Sequence, residues 1–129
     1  MVHELNLPKI ARLLGVIDLV TVHPGDFVFH EGDCADGLFV VQSGLLQVIV
    51  GGAVYDTVAA GGIVGELAIV DEGRRSASVR ASTHAELVKI DIPGFLGLVE
   101  REPEFALTVM RVMAQRLRMM NRRQHADAA

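Results

Sequence analysis

The stretch GGIVGELAIVDEGRRSASVR, from Gly61 to Arg80, decides how this chain is read. Its glycines lead into a short apolar segment beginning at Glu66, too brief for a pair of strands and well suited to one or two helical turns. A helix start presents unpaired backbone N–H groups and the positive end of a dipole, which makes it a candidate anion site. Nine residues after Glu66, beyond a turn at Asp71-Glu72-Gly73, Arg75 leads a strand predicted over residues 76–81. A guanidinium facing those N–H groups completes a pocket for one phosphate, because it donates in a planar fork. Glu66 narrows the ligand further. A carboxylate there repels a bare phosphate, whereas a sugar phosphate brings hydroxyl donors, the ribose 2′-hydroxyl first among them.

On either side of this stretch the periodicity changes. From Leu19 to about Asp91, around this stretch, short runs rich in Val, Ile, Phe and Leu are closed by Pro24-Gly25-Asp26, Glu31-Gly32-Asp33, Ser43-Gly44, Gly51-Gly52 and Gly61-Gly62. Turn signals this frequent predict an antiparallel β roll, jelly-roll-like and mainly β. Residues 85–91 alternate polar Glu86, Lys89 and Asp91 with apolar neighbours, although Val88 breaks strict period 2. Helical spacing appears at both ends. Ile10, Leu13, Leu14 and Ile17 predict a helix from Asn6 to Ile17 with Asn6 as its cap, and residues 92–100 predict a second, short one. From Pro103 to about Arg123, Phe105, Val109, Val112, Met113, Leu117 and Met120 form an apolar stripe, with Arg111, Arg118 and Arg122 largely away from it.

Composition bounds the class. With 129 residues, 50% of them hydrophobic and 22% charged, the chain is expected to be one domain with one core, residues 1–5 and 124–129 being tails. No run approaches the roughly 18 consecutive apolar residues that span a bilayer, so no membrane partner is expected. Residues 1–100 carry six basic and thirteen acidic side chains, and residues 101–129 carry six basic and three acidic. An acidic body with a basic end argues against a nucleic-acid surface, and basic residues late in a helix also complement its dipole. The single cysteine, Cys34, forms no intramolecular disulfide, and Glu4 stands where a signal peptide would be basic. A cytoplasmic location is the expectation.

Catalysis finds little support. The histidines, His3, His23, His30, His84 and His125, show no paired spacing, and His30 has only Glu31 nearby, so neither a metal site nor a cupin-like metal enzyme is expected. No nucleophile triad is visible. Met110, Met113, Met119 and Met120 give the last helix an adaptable apolar surface, suited either to burial against the roll or to a homodimer seam through residues 104–123, which is the reading preferred.

Gly65-Glu66-Leu67-Ala68 followed by Arg75-Ser76-Ala77 resembles the phosphate-binding cassette of the cyclic-nucleotide-binding domain family, which includes catabolite activators, protein kinase A regulatory subunits and cyclic-nucleotide-gated channels. The resemblance extends upstream through residues 25–33 and 38–44, and downstream through Phe95, Pro103, Arg116 and Leu117, so that it covers residues 6–123. It implies that the backbone N–H groups of Glu66, Leu67 and Ala68 hold a cyclic phosphate, that Arg75 pairs with it, that Glu66 accepts the ribose 2′-hydroxyl, and that Ser76 adds a hydroxyl. Val64 stands where the family often has an aromatic, and Asn121 falls near the position from which bacterial activators touch adenine. Ser76, where cyclic-GMP binders often have Thr, favours cyclic AMP over cyclic GMP. The expectation is a sensor of bacterial type rather than an enzyme, with no cofactor beyond this ligand, no helix-turn-helix and no nucleic-acid partner. Ligand capture moves the C-terminal helices, and the output passes to an unidentified protein partner. The alternatives are a ligand-free dimerisation or interaction module of the same fold and the cupin-like enzyme.

Overall fold

The run Leu38-Phe39-Val40-Val41 has no polar alternation, and the computed structural model, which describes residues 7–15 and 18–128, shows why. The elements follow in the order α1 (Leu7–Leu14), β1 (Asp18–Val22), β2 (Phe27–Phe29), β3 (Gly37–Ser43), β4 (Leu46–Val50), β5 (Ala53–Val58), β6 (Ile63–Val64), α2 (Glu66–Val70), β7 (Ser78–Ala81), β8 (Ala85–Asp91), α3 (Ile92–Arg101) and α4 (Pro103–Ala128). The strands form two antiparallel sheets, ordered β1-β8-β3-β6 and β2-β7-β4-β5. Phe39 and Val41 on β3 face the core between the sheets, while Leu38 and Val40 face a second core under the helices. A strand buried on both sides needs apolar residues at every position. The same cause explains Val88 on β8: Leu87 packs between the sheets, and Val88 and Ile90 pack beneath the helices. The mainly β roll with C-terminal helices predicted from the sequence is the fold observed.

Three boundaries differ from the expectation. Helix α1 ends at Leu14 because Gly15 turns out of the helix with φ 77°; Asn6 and Ile17 lie outside the described residues. Strand β7 starts at Ser78 rather than residue 76, because the backbone of Arg75 pairs instead with the β2–β3 turn, its N–H donating to Asp33 O at 2.9 Å and its carbonyl accepting from Gly32 N at 2.8 Å. Helix α4 continues to Ala128, past the end expected near Arg123, through a segment with neither glycine nor proline. Gly51 and Gly52, both at positive φ, form a two-residue hairpin turn between β4 and β5.

The helices close over the outer face of the first sheet. Asp91 caps α3 by accepting from Gly94 N at 2.8 Å, and Pro93 sits in the first turn. Lys9 pairs with Glu102 at 3.0 Å and Arg101 donates to Leu13 O at 2.8 Å, which ties α1 to the α3–α4 junction. The stripe expected along α4 divides: Phe105, Val109 and Val112 are buried against the sheet, whereas Leu117 is exposed.

Candidate functional site

The site forms where β6 passes into α2. Gly65, at φ 86° in the left-handed region, turns the chain so that Glu66 begins the helix with its side chain 1% exposed. The α2–β7 loop then returns Arg75 to the same place, 4% exposed. Its Nη1 donates to Gly65 O at 2.9 Å and its Nη2 to Gly37 O at 2.7 Å, and the guanidinium lies 4.1 Å from the ring centroid of Phe29. Burial lowers the pKa of Arg75, and the carboxylates of Asp36, Asp33 and Glu66 oppose that shift. Val64, Gly65, Glu66, Leu67, Ala68, Arg75, Ser76 and Ala77 line one cavity. Every cassette residue singled out in the sequence is therefore brought together.

Two neighbours behave differently. Arg74 is exposed and donates to Gly32 O at 3.1 Å. Arg80 is half-buried because its guanidinium donates to Gln47 Oε1 at 3.0 Å across the β7–β4 pair and lies above Phe27.

From α4, the residue lining this cavity is Arg116 rather than Asn121. Arg116 Nη1 pairs with Glu66 Oε1, its Nη2 donates to Ile63 O, and its Nε lies 3.5 Å from Asp56 Oδ2 on β5. Sequence reasoning missed this role for Arg116 and missed Asp56 altogether. One signal was present: Arg116 follows Val112 by four residues and so continues the buried stripe. Asp56 carried none.

The hydrogen-bond account leaves two gaps. Among the described residues, Glu66 Oε2 and Arg75 Nε are buried without a partner. Buried polar groups are normally satisfied, so an unpaired acceptor and an unpaired charged donor lining one cavity fit a ligand that carries both a hydroxyl and an anion. The cavity measures about 30 Å³, close to the space of one water.

Among the described residues no group of three or more His, Cys, Asp or Glu side chains is placed to hold a metal ion, and no helix is long and apolar enough to cross a membrane.

Comparison with known proteins agrees with this geometry. The hyperpolarization-activated cyclic nucleotide-gated channel 3 of Mus musculus is 33% identical over 100 residues, covering 78% of this chain and 13% of the channel, so this chain spans a small part of that relative. The crystal structure of the Thermus thermophilus catabolite activator protein superposes with a TM-score of 0.80 at 26% identity, over 96% of this chain and 61% of that one. The N-terminal domain of a transcriptional regulator from Streptomyces coelicolor does so with a TM-score of 0.64 at 31% identity, over 91% and 85%. Residues 19–102 match the family described as the cyclic nucleotide-binding domain, and the chain belongs to that family.

Proposed function

We propose that this chain is a cyclic-nucleotide sensor module without catalytic activity, and that it binds cyclic AMP in preference to cyclic GMP. The observation that carries the reading is the convergence of residues 64–68 and 75–77 on one cavity, two of whose lining residues, Glu66 and Arg75, each carry a buried polar atom without a partner. In this reading the first backbone N–H groups of α2 and Arg75 take the cyclic phosphate, Glu66 accepts the ribose 2′-hydroxyl, and Ser76, exposed at the rim, adds a hydroxyl that favours cyclic AMP. Micromolar affinity needs about 8 kcal/mol. Hydrogen bonds to charged groups contribute roughly 1.5–3 kcal/mol each, so Arg75 and Glu66 supply about half, and base stacking supplies the rest. Calorimetric titration with cyclic AMP tests the assignment. Arg75→Ala is expected to weaken binding at least tenfold, and unchanged affinity in a folded variant overturns it. A larger thermal shift with cyclic AMP than with cyclic GMP is the expected order.

A second reading is favoured by the small cavity: a ligand-free interaction module of the same fold. Failure of both nucleotides to raise the melting temperature establishes it. On either reading the output includes a homodimer through α4, supported by the exposed Leu107, Met110 and Leu117.

A further inference from the structure

Helix α2 borders a second hollow, which the cassette does not use. It measures about 610 Å³ and is walled by α2, α3, α4 and the β2–β3 and α2–β7 loops. Small residues leave the space open: Ala35, Ala68 and Ala106 stand where larger apolar side chains would fill it. Its deep residues Val109 and Ala68 are 2% and 5% exposed, whereas Val70, Leu96 and Met110 are 47%, 59% and 52% exposed. Small-molecule sites are concave, mostly apolar spaces of roughly 300–1,000 Å³ with few polar groups, and this hollow has that character. Met110 and Met113 make its α4 wall adaptable.

Among the described residues that line it, Glu72 is the one charged side chain. Glu72 is exposed, and no ion pair engages it among the described residues. Its backbone has φ 56°, and among the described residues it is the one non-glycine at positive φ. The turn holds it there: Asp71 N donates to Leu67 O at 3.1 Å, and Gly73 N donates to Ala68 O at 3.1 Å and to Asp71 Oδ1 at 2.9 Å. Glycine would adopt this conformation without strain, so the turn sets a carboxylate at the hollow against a backbone cost.

We infer that the hollow is a second ligand site, for a small apolar molecule with a cationic head, its chain lying between α2, α3 and α4 and its ammonium on Glu72. A fatty acid would bring a like charge against that carboxylate and is disfavoured. A helix, about 10–12 Å across, could place only about one turn in this space, too little to anchor a partner protein. Ala68 lines both this hollow and the cassette cavity, and α2 has only five residues, so the two sites share a wall. A molecule seated against one side of that wall changes the affinity on the other, and the effect is reciprocal. The coupling rests on the cyclic-nucleotide reading of the cassette, whereas occupancy of the hollow does not.

The test uses the full chain with N-phenyl-1-naphthylamine, a dye that fluoresces in apolar sites, displaced by dodecylamine or dodecanoate below their micellar concentrations. Dodecylamine is expected to bind about tenfold more tightly than dodecanoate, and Glu72→Gln, at an exposed position, to bring the two within about threefold. Ala106→Phe, which fills the hollow, is expected to weaken both dye and dodecylamine about tenfold. Equal displacement by the two amphiphiles from the wild-type chain overturns the cationic class, and unchanged binding in both variants overturns the site. Dye uptake that falls as protein concentration rises gives the hollow to a contact between copies and overturns it as well. Saturation with dodecylamine is expected to shift the dissociation constant of cyclic AMP at least threefold, read by calorimetric titration, and an unshifted constant overturns the coupling. Failure of the wild-type chain to bind either cyclic nucleotide overturns the cassette reading instead, an outcome distinct from those read with the dye.

Discussion

Gly65 has to satisfy two demands. Its φ of 86° is one that L side chains rarely adopt, and a Cβ built there would lie 2.5 Å from Arg75 Nη1 and 3.2 Å from Phe29 Cε2. Gly65→Ala is therefore expected to cost about 1–3 kcal/mol and to lower the melting temperature by several degrees, checked by calorimetry. It should also weaken cyclic-AMP binding, because the guanidinium it displaces is the proposed phosphate partner. Glu66 and Arg75 were legible as a pair because the cassette is contiguous and its spacing is fixed by one short helix and one turn. Arg116 and Asp56 were not, since the contacts that give them meaning cross 50 and 60 residues of sequence. Asp36 makes a smaller prediction. Its hydrogen bond from Lys89 holds its pKa below the usual carboxylate value, so the stability it adds is present above the ordinary range and lost as pH falls through the folded pKa. The Asp36 side chain is 78% exposed, which limits the effect to about 0.5 kcal/mol. Urea midpoints of Asp36→Asn and wild type should differ slightly at neutral pH and converge below about pH 4.

Among the elements, β8 shows how far periodicity carries. Its bounds follow from the alternation of residues 85–91, yet the break at Val88 has a meaning only tertiary structure supplies: α3, α4 and α1 cover the outer face of the central strands. Leu19 on β1 pairs directly with Val88, so the two share a face of the sheet. Leu19 is 57% exposed and Val88 6%, which marks where the helical cover stops. Val88→Asn is expected to cost about 2–4 kcal/mol, and Leu19→Asn to stay within about 0.5 kcal/mol, as measured by urea unfolding. Equal costs would mean that the helices do not protect this part of the sheet. Helix starts were legible where proline or a capping Asp marks them, as at Asp91-Ile92-Pro93 and Pro103. The end of α4 was not, because nothing in residues 124–128 breaks a helix.

At the scale of the molecule, α4 serves two surfaces at once. Phe105, Val109 and Val112 face the sheet, and Arg116 continues that line into the cassette. Leu107, Met110, Ala114 and Leu117 follow a different line with spacings of three, four and three, the pattern of a coiled-coil seam, and its three large members are exposed. A helix that needed only to bury itself against the roll would carry polar residues there. Pairing this seam with the same seam of a second chain removes the exposed apolar side chains from water and carries no charge into the contact. The proposed dimer is therefore expected in sedimentation equilibrium at micromolar concentration. Met110→Glu combined with Leu117→Glu should convert it to monomer, because like charges then face each other along the seam. Neither residue belongs to the buried stripe, so the variant should keep the wild-type circular dichroism. Because the seam and Arg116 lie on one helix, a change in the contact between Arg116 and Glu66 shifts the seam as well. Ligand should then change the dimerisation constant of the wild-type chain and leave that of Arg116→Gln nearly unmoved, which ties the assembly to the site by linkage. A dimerisation constant that cyclic AMP does not alter would separate the two surfaces and confine the action of the ligand to the roll.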